Sequence, residues 1–195
     1  MDQRLQQQLR FLKEIDGIKD VWRQTRLVDG SRRENDAEHS WELAVMALTL
    51  EEYAPPGTDL LHVLRLLALH DIVELDAGDT FAFDFLGHDD KPLREQAAAQ
   101  RIFGLLPPDQ AAAFRSLWEE YEAQETKESH FALCLDRLQP FLHNVYTEGG
   151  TWPEHDVRKA QVLKRNEPWG PYVPKLWRLV QEWTDQAVRD GILKE

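Results

Sequence analysis

The chain has 195 residues, of which 42% are hydrophobic and 30% are charged, a composition typical of a folded globular protein and unlike that of disordered chains. Its formal net charge of −12 argues against non-specific binding to nucleic acid polymers or membranes, because both need a basic surface. No apolar stretch reaches the roughly 18 to 20 residues of a membrane span, and residues 1–10 are polar, so we expect a cytoplasmic protein. A single cysteine, Cys134, excludes an internal disulfide.

Hydrophobic periodicity and helix breakers predict an all-α fold of about seven helices in one domain, residues 1–195, without a convincing strand. Asn35, Thr126 and Thr151 are expected to cap three of the helices. Residues 18–34 are expected to be irregular, with a turn at Asp29-Gly30. In chain order, the predicted helices cover residues 3–15, 35–54, 59–75, 92–106, 109–123, 128–146, a short segment over 151–164, and 174–191.

Two polar residues, His70 and Asp71, lie inside the third predicted helix, which is otherwise apolar on almost all sides. A buried ionised carboxylate is costly without a partner, so Asp71 requires a cation. A neighbouring arginine could supply it in a purely structural pair, and a metal ion could supply it in a functional site. His39, in the first turn of the preceding helix, and Asp136, among leucines on a later helix, favour the metal.

Two imidazoles and two carboxylates from three helices form a ligand set suited to one divalent ion, which could be Mn, Co, Fe, Mg or Zn. Glu74 lies four residues after His70 on the same helix face, so we expect its carboxylate beside the metal. Asp79 follows a helix stop at Gly78 and is expected to bring a second carboxylate to the same opening. The alternative that Asp79 is only a helix-end turn residue stays open.

These residues resemble the signature of the HD superfamily, a histidine, a His-Asp pair and a later aspartate, here His39, His70, Asp71 and Asp136. The spacings E-N-x-x-E-H-S from Glu34 and H-D-x-x-E-x-x-x-G-D from His70 are more specific, and resemble the YfbR-like 5'-deoxynucleotidases and the HD domain-containing protein 2 group. The likeness covers about residues 15–144. It implies an HD-domain helical bundle, with the helices of residues 151–195 packed on it.

The same resemblance implies a phosphohydrolase that converts nucleoside 5'-monophosphates, preferentially the deoxy forms, to nucleoside and phosphate. Glu74 and Asp79 then match the family's acidic positions near the chemistry, and Arg23 or Arg26 is expected to bind phosphate through its two-pronged guanidinium. The family places an arginine before a tryptophan, whereas this chain has Trp22 before Arg23. Asp84 is expected to contact the ribose or to support the site. Each of these arginines, and Asp84, could instead be a solvated loop charge.

Several other functions stay open on the sequence alone. A related phosphohydrolase could act on cyclic nucleotides or alarmones, and a metal-stabilised helical module could have a regulatory role without turnover. A second metal would need further histidines, and we expect these to be ordinary core or surface residues; they are His62, His88, His130, His143 and His155. The expected partner is a small nucleotide, and a homodimer is expected by analogy with the family.

Overall fold

The computed structural model describes residues 2–79 and 90–195. The prediction of an all-α fold is confirmed, since the described residues form nine α-helices and only one small sheet. None of the helices in these two ranges is long and apolar enough to cross a membrane. The α-helices are α1 (Gln3–Glu14), α2 (Asp36–Thr49), α3 (Leu60–Leu69), α4 (Glu74–Ala77), α5 (Lys91–Phe103), α6 (Pro108–Ala123), α7 (Lys127–Tyr146), α8 (Lys159–Asn166) and α9 (Pro174–Arg189).

A short antiparallel hairpin precedes α2, where the sequence predicted an irregular segment without strands. Strand β1 (Trp22–Arg26) pairs with β2 (Arg33–Asn35), and the register is interrupted between the two ends of β1. A strand pair this short and irregular does not produce the regular alternation of polar and apolar residues that identifies strands in a sequence. The predicted turn is present, because Gly30 has a φ of +70° and its N–H donates to the carbonyl of Leu27 at 2.8 Å.

The third predicted helix, residues 59–75, is interrupted at the polar residues His70 and Asp71. Helix α3 ends at Leu69, residues 70–73 form a turn, and α4 follows as a separate short helix. In the turn, the N–H of Glu74 donates to the carbonyl of Asp71 at 2.9 Å, an i to i+3 bond that is tighter than the α-helical pattern. Apolar residues at helical spacing lie on both sides of this turn, so periodicity alone could not reveal the break. The turn changes the directions in which the side chains of this segment project.

Of two predicted helix starts, at Asn35 and at Thr151, the structure has the first and not the second. The Asn35 side chain accepts a hydrogen bond from the N–H of Glu38 at 3.0 Å, and the Glu38 carboxylate accepts one from the N–H of Asn35 at 3.3 Å, which confirms the predicted start of α2. The predicted helix start at Thr151 is wrong, because α8 begins only at Lys159. The N–H and hydroxyl of Thr151 instead donate to the Asn144 side-chain oxygen at 2.8 and 3.0 Å.

Buried side chains form two hydrophobic clusters, which hold the helices around the polar residues. The larger cluster joins α2, α3 and α7 to the C-terminal helices through residues such as Leu43, Leu66 and Phe131. The smaller one joins α1, α4, α5 and α6, with Phe103 and Trp118 among its members. Burial of a large apolar side chain contributes about 1.5–3 kcal/mol, so these clusters fix the relative positions of α2, α3 and α7.

Candidate metal centre

The four predicted ligands converge where α2, the turn after α3, and α7 meet. His39 Nε2 lies 3.0 Å from Asp136 Oδ1 and 3.8 Å from Asp71 Oδ2. His70 Nε2 lies 3.0 Å from Asp71 Oδ2 and 3.8 Å from Asp136 Oδ1. Ligands that sit about 2.0–2.2 Å from one ion are separated from each other by roughly 3–4 Å. The distances from each imidazole to the two carboxylates are therefore compatible with a single divalent ion, and His39, His70 and Asp136 have ligand atoms within 4.8 Å of one another.

Hydrogen bonds on the outer side of each imidazole fix its orientation. His70 Nδ1 lies 2.9 Å from the carbonyl oxygen of Leu67, which can only accept, so Nδ1 carries the proton. His39 Nδ1 lies 3.1 Å from Oε1 of Gln139, whose Nε2 donates to the carboxylates of Glu34 and Glu42. With Nδ1 bonded on the outer side, each ring directs Nε2 to the cluster, as metal-binding histidines do.

The cluster attracts positive charge. Burial lowers the pKa of His70, but the carboxylates of Asp71 and Asp136 outweigh it and raise the pKa to about 10. His70 Nε2 is buried and has no well-directed hydrogen bond within the described residues. The two carboxylates are partly buried, yet the neighbouring imidazoles hold their pKa values below the usual range. A divalent cation would satisfy the orphaned nitrogen and both carboxylates together.

Glu74 and Asp79 lie beside this cluster and line the same cavity. Glu74 is only 6% exposed, and its Oε2 has no hydrogen-bond partner among the described residues. Burial first, and then the charges of Asp71 and Asp79, raise the pKa of Glu74 well above its usual value. Burial also raises the pKa of Asp79. A buried acid of raised pKa next to a metal-ligand cluster is a candidate for proton transfer.

Of the residues predicted to bind substrate, Arg23 lies at the cluster and Arg26 does not. Arg23 Nη1 donates to Asp36 at 3.0 Å and to Asp71 at 2.9 Å, so this arginine supports the cluster from within. Arg26 points elsewhere: its Nη2 lies 3.3 Å from Glu154 Oε1, and it does not line the cavity that contains Glu74 and Asp79. Asp84 lies outside the described residues. Arg23 does pair with Asp71, as the structural alternative predicted. That pair alone does not explain why two imidazoles and Asp136 lie at the same point.

Several supporting residues were not singled out from the sequence. Tyr121 donates its hydroxyl to Asp136 Oδ2 at 3.0 Å. Asp36 and Glu34 belong to the quoted E-N-x-x-E-H-S segment, and both are buried. Their place inside that segment, next to the first histidine, was the available signal. Gln139, three residues after Asp136, carried no signal of its own because a glutamine in an apolar helix is compatible with many structural roles.

Gln139 offers a direct test of how the cluster is held. A Gln139→Met variant is expected to weaken Mn²⁺ binding by about 10- to 100-fold, because His39 loses the acceptor that orients its ring. Titration calorimetry of the metal-free protein measures the affinity. Glu128→Gln, on the same helix but away from the cluster, is the control and should bind Mn²⁺ like the parent chain. An unchanged affinity in Gln139→Met, with the fold retained, would contradict the orienting role.

The additional histidines do not form a second set of ligands in the cavity. His62 pairs with Glu120 at 2.8 Å, and the ring of His130 stacks on Tyr172 with centroids 3.5 Å apart. His143 joins a separate group with Glu34 and Glu42, whose centre is occupied by the amide of Gln139. His88 lies outside the described residues. Within residues 2–79 and 90–195, the cavity of the cluster is lined by no histidine other than His70.

Two cavities adjoin at the cluster, and they share four lining residues, Arg23, Asp79, Arg137 and Arg165. The first, called the metal-site cavity, also contains His70, Asp71, Glu74 and Asp136. The second, called the side cavity, is lined by residues of β1, α7, α8 and the segment between these two helices; they include Gln24, Thr25, Phe141, Asn144, Trp152 and Asn166. A molecule bound at the shared residues would reach both cavities.

Comparison with known proteins agrees with this geometry. The family model described as HD domain matches residues 15–177. A solved structure of a predicted metal-dependent phosphohydrolase from Magnetospirillum magnetotacticum MS-1 is 52% identical, covers 100% of both chains and superposes with a TM-score of 0.91.

Curated relatives carry a more specific name, 5'-deoxynucleotidase HDDC2. The protein from Homo sapiens is 32% identical over 69% of this chain and 65% of its own length. The protein from Xenopus laevis is 30% identical over 72% of this chain and 69% of its own length. The matched region thus spans about two thirds of these relatives. With most of its length matched by the family model and its cluster in the family's order, this chain belongs to the HD domain family.

Proposed function

We propose that this protein is a metal-dependent phosphomonoesterase that hydrolyses nucleoside 5'-monophosphates, preferentially the deoxy forms, to nucleoside and phosphate. The observation that carries the proposal is the convergence of His39, His70, Asp71 and Asp136 beside the buried acid Glu74. The names of the relatives, 5'-deoxynucleotidase HDDC2 and metal-dependent phosphohydrolase, support the same class of reaction.

In this proposal one divalent ion, Mn, Co, Fe, Mg or Zn, is held by the two imidazoles and the two aspartates. When bound, it supplies Lewis acidity toward the phosphoryl group. The outer hydrogen bonds of His39 and His70 keep their Nε2 atoms directed at the ion. Arg23, bonded to Asp71 and Asp36, keeps the Asp71 carboxylate in place and is itself within reach of a phosphate in either cavity.

The proton transfers are assigned to the acids that do not hold the ion. Water attacks phosphorus and gives up a proton, the bond from phosphorus to the 5'-oxygen breaks, and that oxygen gains a proton. Glu74 is the proposed donor or acceptor, because it is buried beside the cluster without holding the ion and its pKa is raised well above the usual value. Asp79 is the second candidate at the same opening. The contact of Asp84 with the sugar stays a prediction, as do the single domain of residues 1–195, the homodimer and the cytoplasmic location.

A substrate panel with metal reconstitution tests the proposal. Chelation should abolish phosphate release from deoxynucleoside monophosphates, and added Mn²⁺ or Co²⁺ should restore it. Ribonucleotides, cyclic nucleotides and alarmones complete the panel and separate the related hydrolases. If metal-loaded protein releases no phosphate from any mononucleotide, the proposal is wrong, and turnover of a cyclic nucleotide or an alarmone alone would assign the alternative hydrolase instead. Metal binding without turnover of any substrate would favour the regulatory module.

A further inference from the structure

Two arginines stand at the junction of the metal-site cavity and the side cavity. Arg137 follows Asp136 on α7, and Arg165 lies near the end of α8. Both line both cavities, although they are 28 residues apart in sequence. Arg137 Nη1 donates to the backbone carbonyl of Arg165, so the two residues are in direct contact.

Neither guanidinium forms a direct ion pair with a carboxylate of the described residues, unlike that of Arg23, although the charge of Asp136 acts on Arg165. Arg137 Nε is buried without a hydrogen bond, and no hydrogen bond or ion pair is found between the Arg165 guanidinium and another described residue. The Arg23 side chain, by contrast, faces the carboxylates of Asp36 and Asp71 within 3.0 Å. Partly buried guanidinium groups without a directly paired anion are costly, and a phosphate between them would relieve that cost.

The lining of the side cavity suits the nucleoside part of a nucleotide. The cavity is small and opens to solvent on one side, so a nucleoside there would be only partly enclosed. Its walls combine the aromatic rings of Phe141 and Trp152 with a few polar groups, such as Gln24 and Thr25. Aromatic walls with a small number of hydrogen-bonding groups suit a nucleobase and a sugar.

We propose that Arg137 and Arg165 bind the phosphate of the substrate, and that the side cavity takes its nucleoside. The placement rests on the proposed function for the identity of the nucleoside monophosphate. A phosphate at the shared residues would have the metal-ligand cluster and Glu74 on one side and the nucleoside on the other. Arginine suits this position because its planar guanidinium can donate two parallel hydrogen bonds to phosphate oxygens.

Arg165→Gln tests the assignment, with Lys164→Gln as the matched control. Lys164 is exposed, neighbours Arg165 on α8 and loses the same charge when it is replaced. Calorimetry with inorganic phosphate and Mn²⁺-loaded protein should show about 10- to 100-fold weaker binding in Arg165→Gln and parental binding in Lys164→Gln. The KM for deoxyadenosine monophosphate should rise by a similar factor, whereas the inhibition constant of deoxyadenosine, which lacks the phosphate, should stay within about twofold.

Phosphate binding and turnover separate the two proposals. If the parent protein binds phosphate through Arg165 but hydrolyses no nucleotide, the anion site stands and the proposed function fails. Parental phosphate affinity in a folded Arg165→Gln protein would overturn the anion site, as would a parent protein that binds no phosphate.

Arg165→Lys covers the case in which Arg165→Gln does not fold, because it keeps the charge and should weaken phosphate binding through loss of the paired donors. Unchanged binding in Arg165→Lys would then count against the assignment. A raised inhibition constant of deoxyadenosine would place the nucleoside against Arg165 and overturn its assignment to the side cavity.

Discussion

A Glu74→Gln variant is expected to lose phosphate release from deoxynucleoside monophosphates by about 10²- to 10⁴-fold, which is the usual contribution of a general acid or base. Glutamine keeps the size and hydrogen-bonding shape of the side chain but cannot gain or lose a proton near neutral pH. Glu74 is buried beside Asp71, with one carboxylate oxygen lacking a partner among the described residues. The loss should therefore fall on kcat rather than on folding.

Metal binding distinguishes this role from that of a ligand. Calorimetry should give Glu74→Gln an Mn²⁺ affinity within a few-fold of the parent, because the four proposed ligands are unchanged. Asp76→Asn is the matched control, since Asp76 lies two residues away on α4 but is exposed and pairs with Arg101. It should keep full turnover. An equal loss of metal affinity and turnover in Glu74→Gln would make Glu74 a ligand and remove it as the proton-transfer residue.

The chemistry of the centre could be predicted from the sequence because its residues are conspicuous in their local surroundings. His70 and Asp71 interrupt an apolar segment, and Asp136 stands among leucines, so each one required a polar partner that the local sequence does not supply. The spacing of Glu74 from His70 then predicted a neighbour of the cluster. The structure brings all of these residues to one cavity, with His39 behind it.

The remaining parts of the site depend on contacts that no local pattern encodes. The turn at residues 70–73 has apolar residues at helical spacing on both sides, so the sequence predicted one unbroken helix. Arg165 reaches the cavity only because α8 packs against α7, and the predicted start of that helix was eight residues too early. Arg26 was considered because of its charge, but the structure directs it to Glu154. Basic residues in a sequence indicate where an anion could bind only after the packing is known.

An Asp136→Asn variant is expected to lose metal binding and turnover together, the largest effect predicted for this chain. Asparagine has nearly the same shape, but it removes the negative charge that lies 3.0 Å from His39 Nε2 and 3.8 Å from His70 Nε2. Mn²⁺ affinity should fall at least about 100-fold, and phosphate release should fall to background.

Thermal unfolding gives a second measure of the Asp136→Asn effect that does not depend on turnover. Saturating Mn²⁺ at about 100 times the dissociation constant should stabilise the parent protein by roughly 2.7 kcal/mol, and the variant should not respond at the same concentration. Asp190→Asn, which changes an exposed aspartate after α9, is the control and should keep the full metal-induced rise in Tm. If Asp136→Asn retained that rise, the ion would have to be held without Asp136, and the ligand set of two imidazoles and two carboxylates would be wrong. Loss of the rise in Asp136→Asn but not in Glu74→Gln would separate the residues that hold the ion from the residue that transfers the proton.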